Sequence, residues 1–286
     1  MSLAFASRTL PSAGPPLVMG IVNVTPDSFY EGGATAEPAA AIERGLALLD
    51  AGAAIVDVGG MTARPGRELT VDEELARVLP VLTGLRARTD AVLSVDTYRA
   101  AVAEQALDAG ADLVNDHTGL SDPGMAEMVA VRDAGIVVTH LGLAPKQVQG
   151  GRYRVAAARI AEALGEGAAA ARAAGVREDA ILLDPGLGFG KDTASDLATL
   201  RNLPALTGLG YPLLLACSHK EVTAEPLGLP EASLEGTAAV VAVAAFLGVR
   251  VLRLHDLPFM ERVARMAWLM RDDADEHPGS NPAIGR

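Results

Sequence analysis

The residues that could do chemistry in this chain fall at the ends of short, β-rich apolar runs. In order they are Asn23 with Thr25 and Asp27, Asp57, Asp96, Asn115 with Asp116, His140, Asp184, Ser218 with His219 and Lys220, and Arg253 with His255. One polar strand end is unremarkable, but polar residues at all of them suggest convergence on a common site. Asp96, Asn115 and Asp184 suit a flat heterocycle with adjacent N–H groups, because an ionised carboxylate accepts two parallel hydrogen bonds. Lys220 can then donate to a ring oxygen or nitrogen. Asp116 is read instead as a cap for the following segment. Asp184 opens the run Asp184-Pro185-Gly186-Leu187-Gly188-Phe189-Gly190-Lys191, whose glycines permit close ligand approach. Arg253 and His255 alternate with Leu252 and Leu254, so both face one side of a strand and suit an anion. The competing reading pairs Arg253 with an internal carboxylate. Asn23 offers a hard oxygen, which fits Mg²⁺ held mainly by substrate phosphate and water. Cys217 is read as a small core residue, with no placed acid to make it a nucleophile.

A repeated grammar positions these groups: an apolar run, a polar or Gly-rich loop, an Ala/Leu-rich helical stretch, then a glycine such as Gly52, Gly110, Gly135, Gly175 or Gly248. The expected strands are Leu17 to Val24, Ala54 to Val58, Val92 to Asp96, Asp112 to Asn115, Ile136 to His140, Ile181 to Asp184, Leu213 to Ser218 and Val251 to His255. The expected helices are Pro38 to Ala51, Val71 to Arg86, Arg99 to Ala109, Met125 to Ala134, Val155 to Ala174, Ser195 to Leu203, Leu234 to Leu247 and Phe259 to Met270. Thr70 and Glu73 have capping-box spacing ahead of the second. Strict alternation predicts an α/β fold, a single (β/α)₈ TIM barrel over residues 17–270, with the listed side chains at its C-terminal mouth. An open doubly wound sheet is the alternative, which would carry fewer strands and a Gly-rich phosphate turn after the first. Residues 1–16 read as a flexible lead-in and 271–286 as a flexible tail.

The 286 residues carry 36 acidic against 24 basic side chains, a net charge of −12, and only 3% aromatics, which argues against nucleic acid as a partner. A lone cysteine excludes an intramolecular disulfide and fits a reducing, cytoplasmic setting. The longest strongly apolar stretch, Thr237 to Val249, is short for a membrane span.

The run Met19-Gly20-Ile21-Val22-Asn23-Val24-Thr25-Pro26-Asp27-Ser28-Phe29 resembles the dihydropteroate synthase family, a pterin-binding TIM barrel of folate biosynthesis. So, in family order, do Asp57-Val58-Gly59-Gly60 with Arg64-Pro65-Gly66, Ser94-Val95-Asp96-Thr97, Asn115-Asp116, the Asp184 to Lys191 segment, Ser218 with Lys220, and Arg253-Leu254-His255-Asp256. The resemblance implies a transferase that joins a 7,8-dihydropterin-6-ylmethyl diphosphate to 4-aminobenzoate with release of diphosphate. It implies that Asp96, Asn115, Asp184 and Lys220 hold the pterin, and that Asn23 with Mg²⁺, Arg64, Arg253 and His255 hold the diphosphate. Asp57 and Thr62 join the substrate-binding set, while Asn23, Lys220, Arg253 and His255 make up the catalytic set. A homodimer is implied as well.

Some residues depart from the family pattern. The second loop reads Met61-Thr62-Ala63-Arg64 where the family has Glu-Ser-Thr-Arg, and Ser218-His219-Lys220 replaces Ser-Arg-Lys. His140-Leu141-Gly142-Leu143 stands for His-Met-Gln-Gly, and Leu187 for a common phenylalanine. The pterin set is intact, a pattern expected of a divergent second paralogue. The alternatives are therefore a catalytically impaired or inactive pterin-binding paralogue and, more remotely, a methyltetrahydrofolate-dependent methyltransferase.

Overall fold

The structure, a computed structural model, describes residues 2–24, 37–61, 67–141, 153–229 and 233–271. Strands β1 (Ser2–Phe5) and β2 (Arg8–Pro11) form an antiparallel hairpin. Then β3 (Leu17–Asn23), β4 (Ile55–Gly59), β5 (Val92–Asp96), β6 (Leu113–Asp116), β7 (Gly135–Thr139), β8 (Ile181–Asp184), β9 (Leu214–Ala216) and β10 (Val251–Leu254) alternate with helices. The helices are α1 (Pro38–Asp50), α2 (Val71–Arg86), α3 (Ala100–Asp108), α4 (Met125–Val131), α5 (Ala157–Ala173), α6 (Thr193–Arg201), α7 (Leu203–Thr207), α8 (Leu234–Phe246) and α9 (Phe259–Leu269).

The eight later strands form one parallel sheet in the order β8-β7-β6-β5-β4-β3-β10-β9. A bridge between Leu183 and Leu213, with Leu183 N donating to Pro212 O at 3.0 Å, joins its two edges and completes the barrel. Strands buried on both faces read as continuous apolar runs, and β4 and β7 are buried at every position. Helix α2 starts where expected, with Thr70 Oγ1 accepting from Glu73 N at 3.2 Å and Glu73 Oε2 accepting from Thr70 N at 2.8 Å. The sixth helical stretch is two pieces rather than one, because Pro204 at the start of α7 cannot continue the hydrogen bonding of α6.

The lead-in is a correction. Its hairpin covers the N-terminal end of the barrel, burying Leu3 and Phe5. Phe5 fills the space that the missing side chain of Gly135 leaves at the start of β7. Arg8 Nη1 bonds Asp112 Oδ1 at 2.9 Å, and Arg250 donates to the carbonyls of Pro11, Gly14 and Pro15. The turn residues of this segment gave it the look of a solvated tail, while its two buried apolar side chains and the buried Arg250 hold it in place. The expected tail is described only to Arg271, and residues 272–286 lie outside the described residues.

Candidate active site

The strand-end residues meet at the opposite end. Arg253, on β10, donates from Nε to Asp57 Oδ2 at 2.6 Å and from Nη2 to Asp96 Oδ2 at 2.8 Å. Asn115, on β6, donates from Nδ2 to the same Asp57 oxygen at 3.0 Å. These bonds tie β4, β5, β6 and β10 together across the mouth. The expectation of a separate carboxylate side and cationic side is therefore corrected: Arg253 sits within the carboxylate cluster, because the buried Asp57 and the half-buried Asp96 beside it need a cation to offset their charge. A guanidinium carries five donors, so this pairing does not exhaust it. Burial raises Asp57, and Asp96 adds to the rise against the opposing pull of Arg253. Burial also pushes Asp96 up, but Arg253 and the His117 contact outweigh it and hold the carboxyl below its ordinary range.

Asp184, at the end of β8, is also buried, and burial raises it while Lys220 opposes. Its Oδ1 accepts from Gly186 N at 2.8 Å, which begins the glycine-rich turn. Gly186 has φ +67, and a Cβ there would stand 2.2 Å from His140 O, so the chain can pass β7 at this point only as glycine. Lys220, past β9, donates from Nζ to Leu187 O in that turn and lies 4.6 Å from the centre of the Phe189 ring. Burial lowers Lys220, with Asp184 and Asp196 acting the other way.

On the remaining side, His255 Nδ1 is 3.1 Å from Ser218 Oγ. Burial, with Arg253 nearby, takes its pKa down to about 3, so the imidazole is neutral and offers N–H rather than charge to an anion. His219 occupies the left-handed region at φ +56 and sets Nε2 2.7 Å from Asp256 Oδ2. That ring nitrogen is thus engaged by a carboxylate. His140, with its pKa lowered to about 4 by burial and by Lys191, lies at the end of β7 as expected. Asp116 takes the capping role, accepting from Thr118 N at 2.7 Å, Thr118 Oγ1 at 2.6 Å and Leu120 N at 2.9 Å. Cys217 is buried, and burial pushes its thiol up to about 12, as suits a core residue.

Asn23 ends β3, and its Oδ1 lies 3.7 Å from the point a Cβ on Gly59 would occupy, with Asp96 Cβ 3.5 Å from that point. Among the described residues no group of three or more His, Cys, Asp or Glu could hold a metal. The Asn23 amide oxygen is a hard donor, the chemistry that a cation taking its other ligands from phosphate and water would use. Thr62, Ala63 and Arg64 lie outside the described residues, whereas Met61 at the start of the altered loop is buried.

Two groups at this mouth were not singled out from the sequence. Lys191 is 2% exposed and donates from Nζ to Gly186 O at 2.6 Å and His140 O at 3.1 Å, stitching the glycine-rich turn to β7. His117 sets Nδ1 2.9 Å from Asp96 Oδ1. Its place two residues past Asn115, in an otherwise polar run, was the available signal.

Residues 19–255 match the family model described as pterin binding enzyme. Among curated relatives, an inactive dihydropteroate synthase 2 of Mycobacterium leprae is 43% identical over 87% of this chain and 89% of its own. The dihydropteroate synthase of Bacillus subtilis is 40% identical over 92% of this chain and 91% of its own. Among solved structures, a Yersinia pestis dihydropteroate synthase in a sulfonamide drug complex aligns with TM-score 0.87 at 35% identity, covering 94% of this chain and 98% of the other. The Xanthomonas albilineans enzyme in complex with 7,8-dihydropteroate aligns with TM-score 0.80 at 36% identity, covering 94% and 97%. With its eight-stranded barrel, its polar mouth and a family match spanning that barrel, the chain belongs to the pterin-binding enzymes of the dihydropteroate synthase type.

Proposed function

We propose that this protein condenses a 7,8-dihydropterin-6-ylmethyl diphosphate with 4-aminobenzoate to give dihydropteroate and diphosphate. The observation that carries the reading is the set Asp96, Asn115, Asp184 and Lys220 at one barrel mouth, Asn115 and Asp184 buried and Asp96 and Lys220 half-buried, whose acceptors and donors complement an amino-pyrimidinone edge. In the reaction the bond from the methylene carbon to a diphosphate oxygen breaks, its electron pair leaving with the oxygen. The amine nitrogen forms the new C–N bond and loses a proton to water. No strong base is needed, so the protein's task is to orient the ring, stabilise the leaving anion and screen the carbon. Asp184 and Asn115 orient the ring, and Lys220 donates to it. Arg253, Arg64 and the N–H of His255 serve the diphosphate. A Mg²⁺ bound through Asn23 would neutralise diphosphate charge. Thr62 and Asp57 complete the substrate contacts.

A second reading, pterin binding with little or no turnover, is favoured by the identity to the inactive mycobacterial paralogue and by the His219–Asp256 pair where the family has an arginine. Incubation with the pterin diphosphate, Mg²⁺ and 4-aminobenzoate separates the two. The synthase yields dihydropteroate and diphosphate in equal amounts; release of neither, with pterin still bound, selects the second. A homodimer is part of the proposal, supported by the exposed Phe246, Phe259 and Met266 on the neighbouring helices α8 and α9 and by the exposed Met270 that caps α9. A cytoplasmic setting is supported by the single buried thiol. Among the described residues no helix is long and apolar enough to cross a membrane.

A further inference from the structure

We propose that His117 is a positioning residue for the heterocycle site, holding the Asp96 carboxylate in its receiving orientation and coupling that orientation to the glycine-rich turn. The inference rests on the pterin reading above. His117 is 6% exposed, and its Nδ1 holds Asp96 Oδ1 at 2.9 Å while Arg253 Nη2 holds Oδ2 at 2.8 Å. A group on β10 and one just past β6 thus grip the two carboxylate oxygens, and the carboxylate plane cannot rotate without breaking one contact. The imidazole is itself held. Phe189, from the glycine-rich turn, stacks on it with the planes 4° apart and centroids 5.8 Å apart, and Tyr98 meets it edge-on at 5.4 Å. Lys220 Nζ lies 4.6 Å from the centre of that Phe189 ring. A continuous contact chain therefore runs from Lys220 through Phe189 and His117 to Asp96 and Arg253, joining the loop that follows Asp184 to the far side of the mouth.

A ring chosen only to fill this space would not need a nitrogen on a half-buried carboxylate, since an aromatic hydrocarbon fills it without the desolvation that a polar atom costs. The nitrogen fixes one oxygen of Asp96 while Arg253 fixes the other, so the carboxylate is held in one orientation.

The test is calorimetric titration of the full chain with 6-hydroxymethylpterin at a single near-neutral pH. The parent is compared with His117→Phe, which keeps the stack without the nitrogen, and His117→Asn, whose amide nitrogen can replace Nδ1. His117→Phe is expected to bind about tenfold more weakly than the parent and His117→Asn within about threefold, as loss of one charged-acceptor bond implies. His117→Phe binding as tightly as the parent overturns the proposal, as does His117→Asn binding as weakly as His117→Phe. A parent that binds no pterin removes the pterin reading and the inference with it, whereas the two preceding outcomes leave the pterin reading standing.

Discussion

The two ends of the barrel carry similar buried polar chemistry put to different uses. At the N-terminal end Asp112 is saturated: Arg8 Nη1 at 2.9 Å holds one oxygen, and Arg86 Nη2 at 2.7 Å with Leu93 N at 2.9 Å holds the other. At the mouth, Arg253 and Asn115 share one oxygen of Asp57, and its Oδ1 has no hydrogen-bond partner among the described residues. Among the described residues Asp184 accepts a backbone N–H from Gly186 and feels the charges of Lys220, Lys191 and Arg253, with no side chain bonded to it. A buried carboxylate whose partners are complete stabilises a fold; one whose partners are incomplete keeps acceptor capacity for a ligand. The difference assigns stability to the first end and binding to the second, which agrees with the general division of labour in TIM barrels.

The largest effect that this comparison predicts is structural. Asp112→Ala strands Arg86 and Arg8 and costs about 3 to 5 kcal/mol of unfolding free energy, measured by denaturant titration, with pterin affinity of the folded protein unchanged. Lost pterin affinity in a stable Asp112→Ala protein would break the division. Next, Asp184→Ala is expected to weaken pterin binding by about 2 to 4 kcal/mol in calorimetry, because the ligand's N–H groups lose a charged acceptor. Unchanged affinity would return Asp184 to a turn-forming role.

A smaller effect sharpens the contrast within the mouth. Ala63→Thr combined with His219→Arg is expected to raise dihydropteroate formation at least about tenfold, some 1.4 kcal/mol, with little change in pterin affinity. An inactive double variant that still binds pterin would favour the non-catalytic reading. The smallest effect concerns pH and stability. The folded pKa of His140, about 4, lies below its ordinary 6.5, so the unfolded chain takes up the proton first. Its stabilising contribution is full above pH 6.5 and is lost as pH falls towards 4. His140→Gln should therefore reduce the acid-induced drop in Tm, by an amount corresponding to roughly 1 kcal/mol between about pH 7 and about pH 5.5. An identical acid profile would remove His140 from that account.

Much of this was legible before any geometry. Short apolar runs, helical stretches and glycine stops are local signals, so every barrel strand was located, and reading the strand ends placed Asp57, Asp96, Asn115, Asp184, Lys220 and Arg253 at one mouth. Partnership was not legible. That Arg253 would bridge Asp57 and Asp96, or that His117 would reach Asp96, depends on which strands become neighbours across the mouth and on side-chain direction, and neither is encoded in spacing along one strand. The N-terminal hairpin misled for a related reason: its stability comes from Phe5 against Gly135 and from Arg250, both remote in sequence. The substitution of Leu187 for a bulkier residue is simply buried and has no further structural account.

The most direct test of the division between the two ends is the pterin-induced shift in Tm, measured side by side for the parent, Asp112→Ala and Asp184→Ala. A ligand at about one hundred times its Kd stabilises the folded state by about 2.7 kcal/mol. The account predicts that saturating 6-hydroxymethylpterin raises Tm equally in the parent and in the destabilised Asp112→Ala protein, and raises that of Asp184→Ala by no more than about a third as much at the same concentration. An equal shift in Asp184→Ala, or none in the parent, would contradict it.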